Sequence, residues 1–346
     1  MFRNHMLRVV QVTHPARGRA VAVVDEPNLR LLSGSKSVYD LARTAISANE
    51  TIEKAVDREL SSQSIGYADV YAGKSDWRLL PPFDRPEHAH GCLVTGTGLT
   101  HRASAESRAN MHGAGNTSIE AVLTDSMRMY RAGLEGGRPA AGSIGAQPEW
   151  FYKGDASILR AHGQALDVPN FGLDGGEEAE IAGCYVIGPD GTPFRVGLVQ
   201  GNEFSDHVGE ARNYLYLAES KLRTCSIGPE LVIGTGESFF AGEIRGATTI
   251  ERSGKTLWSG ELASGERWMC HTLANLEHHH FKNAFHRRPG DAHVHFLGAD
   301  AFSFRDQVRL EDGDEMVISY AGFGRALRNP IRIDRTPENV VSVKAL

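Results

Sequence analysis

Glu178-Ala-Glu-Ile-Ala-Gly-Cys-Tyr-Val-Ile-Gly-Pro-Asp-Gly191 is an apolar, strand-forming run that opens on paired carboxylates and closes on a Gly/Pro/Asp turn. A second strand-like segment ends in Gly201-Asn-Glu-Phe-Ser-Asp206-His207. Residues i and i+2 of a strand project from one face, about 6.6 Å apart. Glu178 and Glu180, placed so at the edge of an apolar strand, repel each other and cost desolvation free energy unless a cation lies between them. A third carboxylate, from Glu203 or Asp206, completes an oxygen-rich half-shell suited to Mg²⁺ or Mn²⁺. The competing reading makes Glu177, Glu178 and Glu180 a solvated acidic turn ahead of an edge strand.

Working outward, 346 residues suffice for one large domain or for a small one plus a large one. A hydrophobic fraction of 41% and a charged fraction of 23% are those of a soluble globular protein. Forty-three acidic against 37 basic residues give a net charge of −6, which argues against a general nucleic-acid or anionic-membrane surface. No apolar run approaches the roughly 18 residues of a membrane span. The first residues carry no apolar signal-peptide core, so a cytoplasmic location is expected. Cys92, Cys184, Cys225 and Cys270 are scattered, with no CxxC pair, and read as reduced, mostly buried thiols.

Met6 to Val24 holds two β-like runs around a Pro/Gly turn, a hairpin that begins a small α+β unit. Residues 37–60 show helical apolar spacing with Ser37 as N-cap. Trp77-Arg-Leu-Leu-Pro-Pro82 reads as the link to the main domain. From Gly91 the chain is rich in glycine and short apolar segments, which predicts a β-rich domain of mixed sheets or a barrel-like roll. Helices are expected there only over about Ser104–Met111, Ser118–Ala132 and Glu210–Ser220.

Three further constellations bear on the carboxylates. Lys153, in Trp150-Phe-Tyr-Lys-Gly-Asp155, sits among aromatics, where a lysine loses solvation and serves as acid, base or anion clamp; otherwise it snorkels at the surface. Lys221 follows a helix-like segment, either as a second such group or as a basic last turn suited to the macrodipole. Gly96-Thr-Gly-Leu-Thr-His101-Arg102 is a glycine-flanked strand end before a helix start, where backbone amides hold a carboxylate, although no G-x-G-x-x-G or P-loop is present. His271, His278, His279, His280, His286, His293 and His295 crowd 25 residues. They are read as a zinc site, as active-site lining, as an interface or as core histidines. No G-x-S-x-G elbow appears.

Taken in order, these pieces resemble the fumarylacetoacetate hydrolase superfamily. The order is Leu80-Pro-Pro82, Gly96-x-Gly98 with Arg102, Phe151-Tyr-Lys153 with Ala156-Ser157, Glu178-x-Glu180, Gly201-Asn202-Glu203, and Lys221 with Gly228-Pro229. Pro289-Gly290-Asp291 leading to Gly298, and Glu311 through Gly324 with Arg328-Asn329-Pro330, complete it. The resemblance runs from about residue 76 onward, and the leading segment is similar to the family's small first domain. It implies an α+β, β-rich fold, with a small α+β domain over 1–80 and a catalytic roll over 81–346. It also implies Mg²⁺ or Mn²⁺ held by Glu178, Glu180 and Glu203, the last being a glutamate where Gly-Asn-Asp is usual, with Asp206 as the alternative. Lys153-Gly-Asp stands where Lys-Pro-Pro is usual. Ser104 and Ser107 stand where C–C hydrolases carry a lid-helix His and Glu, Glu106 being the nearest acid.

Asn213 to Lys221 is similar to members that dehydrate 2-keto-3-deoxy sugar acids. The expected function is therefore a metal-dependent dehydratase of a 2-keto-3-deoxy pentonate. Lys153, Lys221 and Glu106 would be catalytic, Gly98, Arg102 and Gly298 substrate-binding, and the assembly a homodimer. A C–C hydrolase of acylpyruvates or 2,4-diketo-3-deoxy sugar acids and a non-catalytic sugar-acid binder are the other readings.

Overall fold

Short apolar runs punctuated by Gly, Pro and Asp become strands throughout, in a computed structural model that describes residues 6–113, 124–234 and 237–346. In chain order the strands are β1 (Arg8–His14), β2 (Gly18–Asp25), β3 (Asn28–Leu32), β4 (Leu60–Gly66), β5 (Arg78–Leu80), β6 (Cys92–Gly96), β7 (Phe151–Asp155), β8 (Leu159–Arg160) and β9 (Leu166–Val168). They continue as β10 (Ala179–Ile187), β11 (Pro193–Asn202), β12 (Cys225–Ile233), β13 (Ile244–Arg252), β14 (Lys255–Ser264), β15 (Ala292–Phe296), β16 (Glu315–Tyr320) and β17 (Leu327–Ile333). The helices are α1 (Val38–Ser47), α2 (Ile52–Glu59), α3 (Tyr67–Tyr71), α4 (Arg102–Gly113), α5 (Asp125–Gly136), α6 (His207–Arg212), α7 (Leu217–Lys221), α8 (Glu237–Phe240) and α9 (Leu273–Phe281).

The larger sheet runs β4-β3-β2-β1-β12-β11-β10-β15-β6-β7, with β5 on β1 and β8 on β12. Strand β7 lies at one end of that path. Yet β8, which begins four residues after β7 ends, pairs with β12 several strands away. The sheet therefore curls into a roll, and neither sheet closes into a barrel among the described residues. A second sheet, β14-β13-β16-β17-β9, covers one face. There Ala179, Ile181, Leu198 and Val232 pack against Ile318, Tyr320 and Leu327. On the opposite face Ala182, Cys184 and Val186 join Val38, Leu41 and Ala45 of α1. Strand β10 is thus buried on both sides along its whole length, which is why it reads as continuous rather than alternating apolarity.

The β1–β2 hairpin forms as expected, with Gly18 taking the left-handed φ of +70°. Because β1 also pairs with β12, the leading strands extend the same sheet. Four expectations need correction. Residues 37–60 are two helices, because Asn49 adopts φ +50° and breaks the run; Ser37 does cap the first, its side chain accepting from the Asp40 N–H. Within Trp77–Pro82, Arg78–Leu80 is a strand on β1 rather than a free link. The segment 210–220 is split into α6 and α7 around a tight turn at Tyr214–Tyr216. The helix expected over 118–132 begins at Asp125 behind its Thr124 cap, and 118–123 lie outside the described residues. All four cysteines are buried and unpaired. No helix among the described residues is long and apolar enough to cross a membrane.

Candidate metal centre

Strands β10 and β11 pair antiparallel, with Ala179 opposite Asn202 and Glu180 opposite Gly201. That register decides the site, since it sets the start of β10 beside the end of β11. The Glu203 N–H donates to the Glu178 carbonyl at 2.9 Å, and the Glu178 N–H donates to Asn202 Oδ1 at 3.2 Å. Gly201 is required here, because a Cβ would lie 2.7 Å from both Phe296 and the Ser226 carbonyl. Oxygens of Glu178, Glu180 and Glu203 all fall within 4.8 Å of one another, and none of the three residues is more than 7% exposed. The solvated-turn reading fails on that burial.

Both lysines close on the same cluster. Lys221 Nζ donates to Glu178 Oε1 at 2.5 Å, Glu203 Oε2 at 2.8 Å and Ser205 Oγ at 3.1 Å, and lies 4.8 Å from the Phe151 ring centre. Lys153 Nζ donates to Glu203 Oε1 and, at 2.9 Å, to the Phe204 carbonyl. Neither is a surface lysine. Burial, then repulsion from Glu203 and Glu178, pushes the Glu180 carboxyl well above the usual carboxylate range. Burial and Glu178 likewise raise Glu203, against the pull of Lys153 and Lys221. Burial acts to raise Glu178 as well, but Lys221 and His207 outweigh it and hold that carboxyl well below its ordinary range. The result is a buried cluster of hard oxygen donors with one carboxyl inclined to keep its proton. A divalent cation would displace that proton and take the free donors, so the residues fit Mg²⁺ or Mn²⁺.

Asp206 is not a competing ligand. Its oxygens accept from the Gly209 N–H at 2.7 Å, capping α6, from the Leu173 N–H at 2.9 Å and from Arg223 Nη2 at 2.9 Å. Two supports were not anticipated. His207 Nε2 meets Glu178 Oε1 at 3.0 Å, with its ring against those of Phe302 and Phe304. Glu177, fully buried, accepts from the Ser303 N–H at 2.6 Å and the Ser303 hydroxyl at 2.7 Å, tying that same loop to β10. The only sequence signal for either was adjacency to a ligand.

Gly298 belongs to the cluster through its backbone: its N–H donates to Glu180 Oε2 at 2.7 Å. It sits at φ +104°, and a Cβ there would be 1.9 Å from Thr100 Oγ1. Gly98 lies just past the end of β6, whose parallel register with β15 sets Gly96 against Phe296. Arg102 and Glu106 are not drawn into the carboxylates. They pair with each other at 2.7 Å on α4, and the arginine side chain is 79% exposed. The zinc reading of the histidines is overturned: among the described residues, the group able to share one ion is the glutamate trio. His295 is held by Thr95 and Thr97 at 2.8 and 2.9 Å, and His280 bridges Trp150 and His293 at 3.1 and 3.0 Å. Six of the seven, all but the exposed His278, are buried.

No protein-family profile matches the chain, and no curated protein matches it. Solved structures do. A 2-keto-3-deoxyarabinonate dehydratase superposes with a TM-score of 0.69 at 19% identity, over 95% of this chain and 100% of the other. A 2-keto-3-deoxy-D-arabinonate dehydratase complexed with magnesium and 2,5-dioxopentanoate gives 0.67 at 20% identity over the same shares. The 5-carboxymethyl-2-hydroxymuconate delta-isomerase of Mycobacterium smegmatis gives 0.56 at 16% identity, over 94% of this chain and 100% of that one. The likeness is one of fold, and this chain has the fumarylacetoacetate hydrolase-like fold that these dehydratase and isomerase structures share.

Proposed function

We propose that this chain is a divalent-metal-dependent enzyme of the fumarylacetoacetate hydrolase superfamily that dehydrates a 2-keto-3-deoxy sugar acid of the pentonate class. The observation that carries the proposal is the buried Glu178–Glu180–Glu203 trio with Lys153 and Lys221 on its carboxylates. The three glutamates would hold Mg²⁺ or Mn²⁺, which when bound supplies Lewis-acid polarisation of a 2-oxo acid. Lys153 or Lys221 would aid transfer of the C3 proton to the C4 hydroxyl, which leaves as water, so that no net proton is gained or lost. Arg102 and the Gly98 backbone at the exit of β6 receive the substrate carboxylate, with Glu106 orienting Arg102 through their ion pair. Gly298 acts by holding Glu180, since its N–H is already spent on that carboxylate. Resemblance to the superfamily supports a cytoplasmic homodimer.

The C–C hydrolase reading needs a water-activating acid beside the metal, and Glu106 engages Arg102 instead. Incubation with Mg²⁺ and a panel of 2-keto-3-deoxy and 2,4-diketo acids, read by product mass, tests the proposal. A single product short of one water is expected. Pyruvate plus a second acid would identify a hydrolase, and no turnover of any member would leave a binding protein.

A further inference from the structure

At the far end of β10, about 20 Å along the strand from Glu180, two adjoining cavities of about 320 and 410 Å³ share Tyr39, Arg43 and Arg85 in their walls. The first has Ile46, Val186, Ile187, Pro189 and Pro289 in its lining beside the two arginines. The second is cationic, with Arg19 and Lys36 joining Arg43 and Arg85, against Asp40 and Glu87. Among the described residues, ion pairs occupy two of these cations, which leaves Arg43 and Lys36 as the ones open to a ligand.

The ring of Tyr39 organises the place. It is 5% exposed, and its hydroxyl donates to the Gly290 carbonyl at 2.6 Å, so α1 is pinned to the Pro289-Gly290-Asp291 loop. Arg43 and Arg85 both lie over that ring, at 5.8 and 5.5 Å from its centre. Arg85 has a counter-charge in Asp291 at 3.2 Å, and Arg19 has one in Asp84 at 2.6 Å. Arg43 makes no ion pair or hydrogen bond among the described residues, although Asp40 lies one turn away; Asp40 instead accepts from the Ser37 hydroxyl at 2.7 Å. Two guanidinium groups on one ring repel each other, and an anion between them removes that cost.

We propose that this cleft is a second binding site, for a small organic phosphate. The phosphate would lie on Arg43, Arg85 and Lys36, and the carbon body against Ile46, Val186 and Pro189. Guanidinium forks and an ammonium match a dianion with several oxygens. The combined space is that of a small-metabolite site. None of these residues hydrogen-bonds or ion-pairs with the glutamate cluster.

Thermal melts of the full chain in EDTA, with AMP as the probe, test this against inorganic phosphate and against KCl at matched ionic strength. AMP should raise the melting temperature by about 2–4 °C near saturation, with inorganic phosphate giving less. Arg43→Glu, at an exposed position, should weaken AMP binding at least about tenfold, and Glu178→Gln should leave the shift intact. An AMP shift no larger than that of KCl, or one unchanged in Arg43→Glu, overturns the site. Inorganic phosphate matching AMP overturns the organic ligand.

Discussion

Lys221 Nζ lies within hydrogen-bond reach of two glutamates and a serine, and its side chain is fully buried. A charge so placed stabilises the fold only while its partners remain. Removing one member of a buried ion pair costs about 3–5 kcal/mol, because the other is left uncompensated. Lys221→Met should therefore lower the melting temperature of the metal-free chain by about 4–7 °C. MgCl₂ should restore more of that loss than it adds to the parent, since the ion supplies the missing positive charge. Calorimetry of both chains with and without MgCl₂ checks this, and equal magnesium responses would contradict it. At this scale the sequence was informative wherever chemistry follows from spacing. The Glu178-x-Glu180 pair was legible from i, i+2 geometry, whereas spacing left the third ligand open between Glu203 and Asp206 and the family resemblance pointed to Glu203. Glu177 and His207 were not, because their roles depend on Ser303, Phe302 and Phe304, a loop that returns to β10 from roughly a hundred residues away.

The hairpin of β10 and β11 positions the ligands, and the loop after β15 holds one of them in aim. Gly298 reaches Glu180 only because it lacks a Cβ and takes φ +104°, where other residues are strained. Gly298→Ala should push the loop off Thr100, break the N–H contact to Glu180 and weaken Mn²⁺ binding by roughly tenfold, a loss of about 1.4 kcal/mol. Isothermal titration measures it, and unchanged affinity would remove Gly298 from the account. Elements were legible in proportion to how local their causes are. The β1–β2 hairpin followed from its Pro/Gly turn, and α1 from the Ser37 cap. Helix α9 went unread, because Leu273–Phe281 carries three histidines that interrupt the apolar spacing; tertiary burial of His279 and His280 supplies what the pattern lacks. The division of 37–60 was missed for the reason that one left-handed residue, Asn49, ends a helix whose apolar period continues.

Across the whole molecule the roll buries histidines as well as acids, and this sets its response to pH. Burial holds His101, His162 and His271 down at about 4, and His293 and His295 at about 3. Each is depressed below its unfolded value of about 6.5, so below that pH the unfolded chain binds more protons than the folded one. Stability from these groups is complete above about pH 6.5 and is lost as pH falls towards 3–4, at up to about 1.4 kcal/mol per histidine per pH unit. Melting temperature should thus fall by several degrees or more between pH 7.5 and 5.5; a flat profile over that window would contradict the buried, neutral cluster. The sheet's curl could not be read from the strands alone, since it rests on β8 returning to β12, a pairing with no local signature. That curl brings Lys153 of β7 onto Glu203 beyond β11, and so assembles the centre. Titration with Mn²⁺, following loss of the free-ion paramagnetic signal, tests the assembled centre most directly. The account predicts one ion per chain, with binding weakened at least about a hundredfold in Glu180→Gln. Equal binding by both proteins, or none by the parent chain, would contradict it.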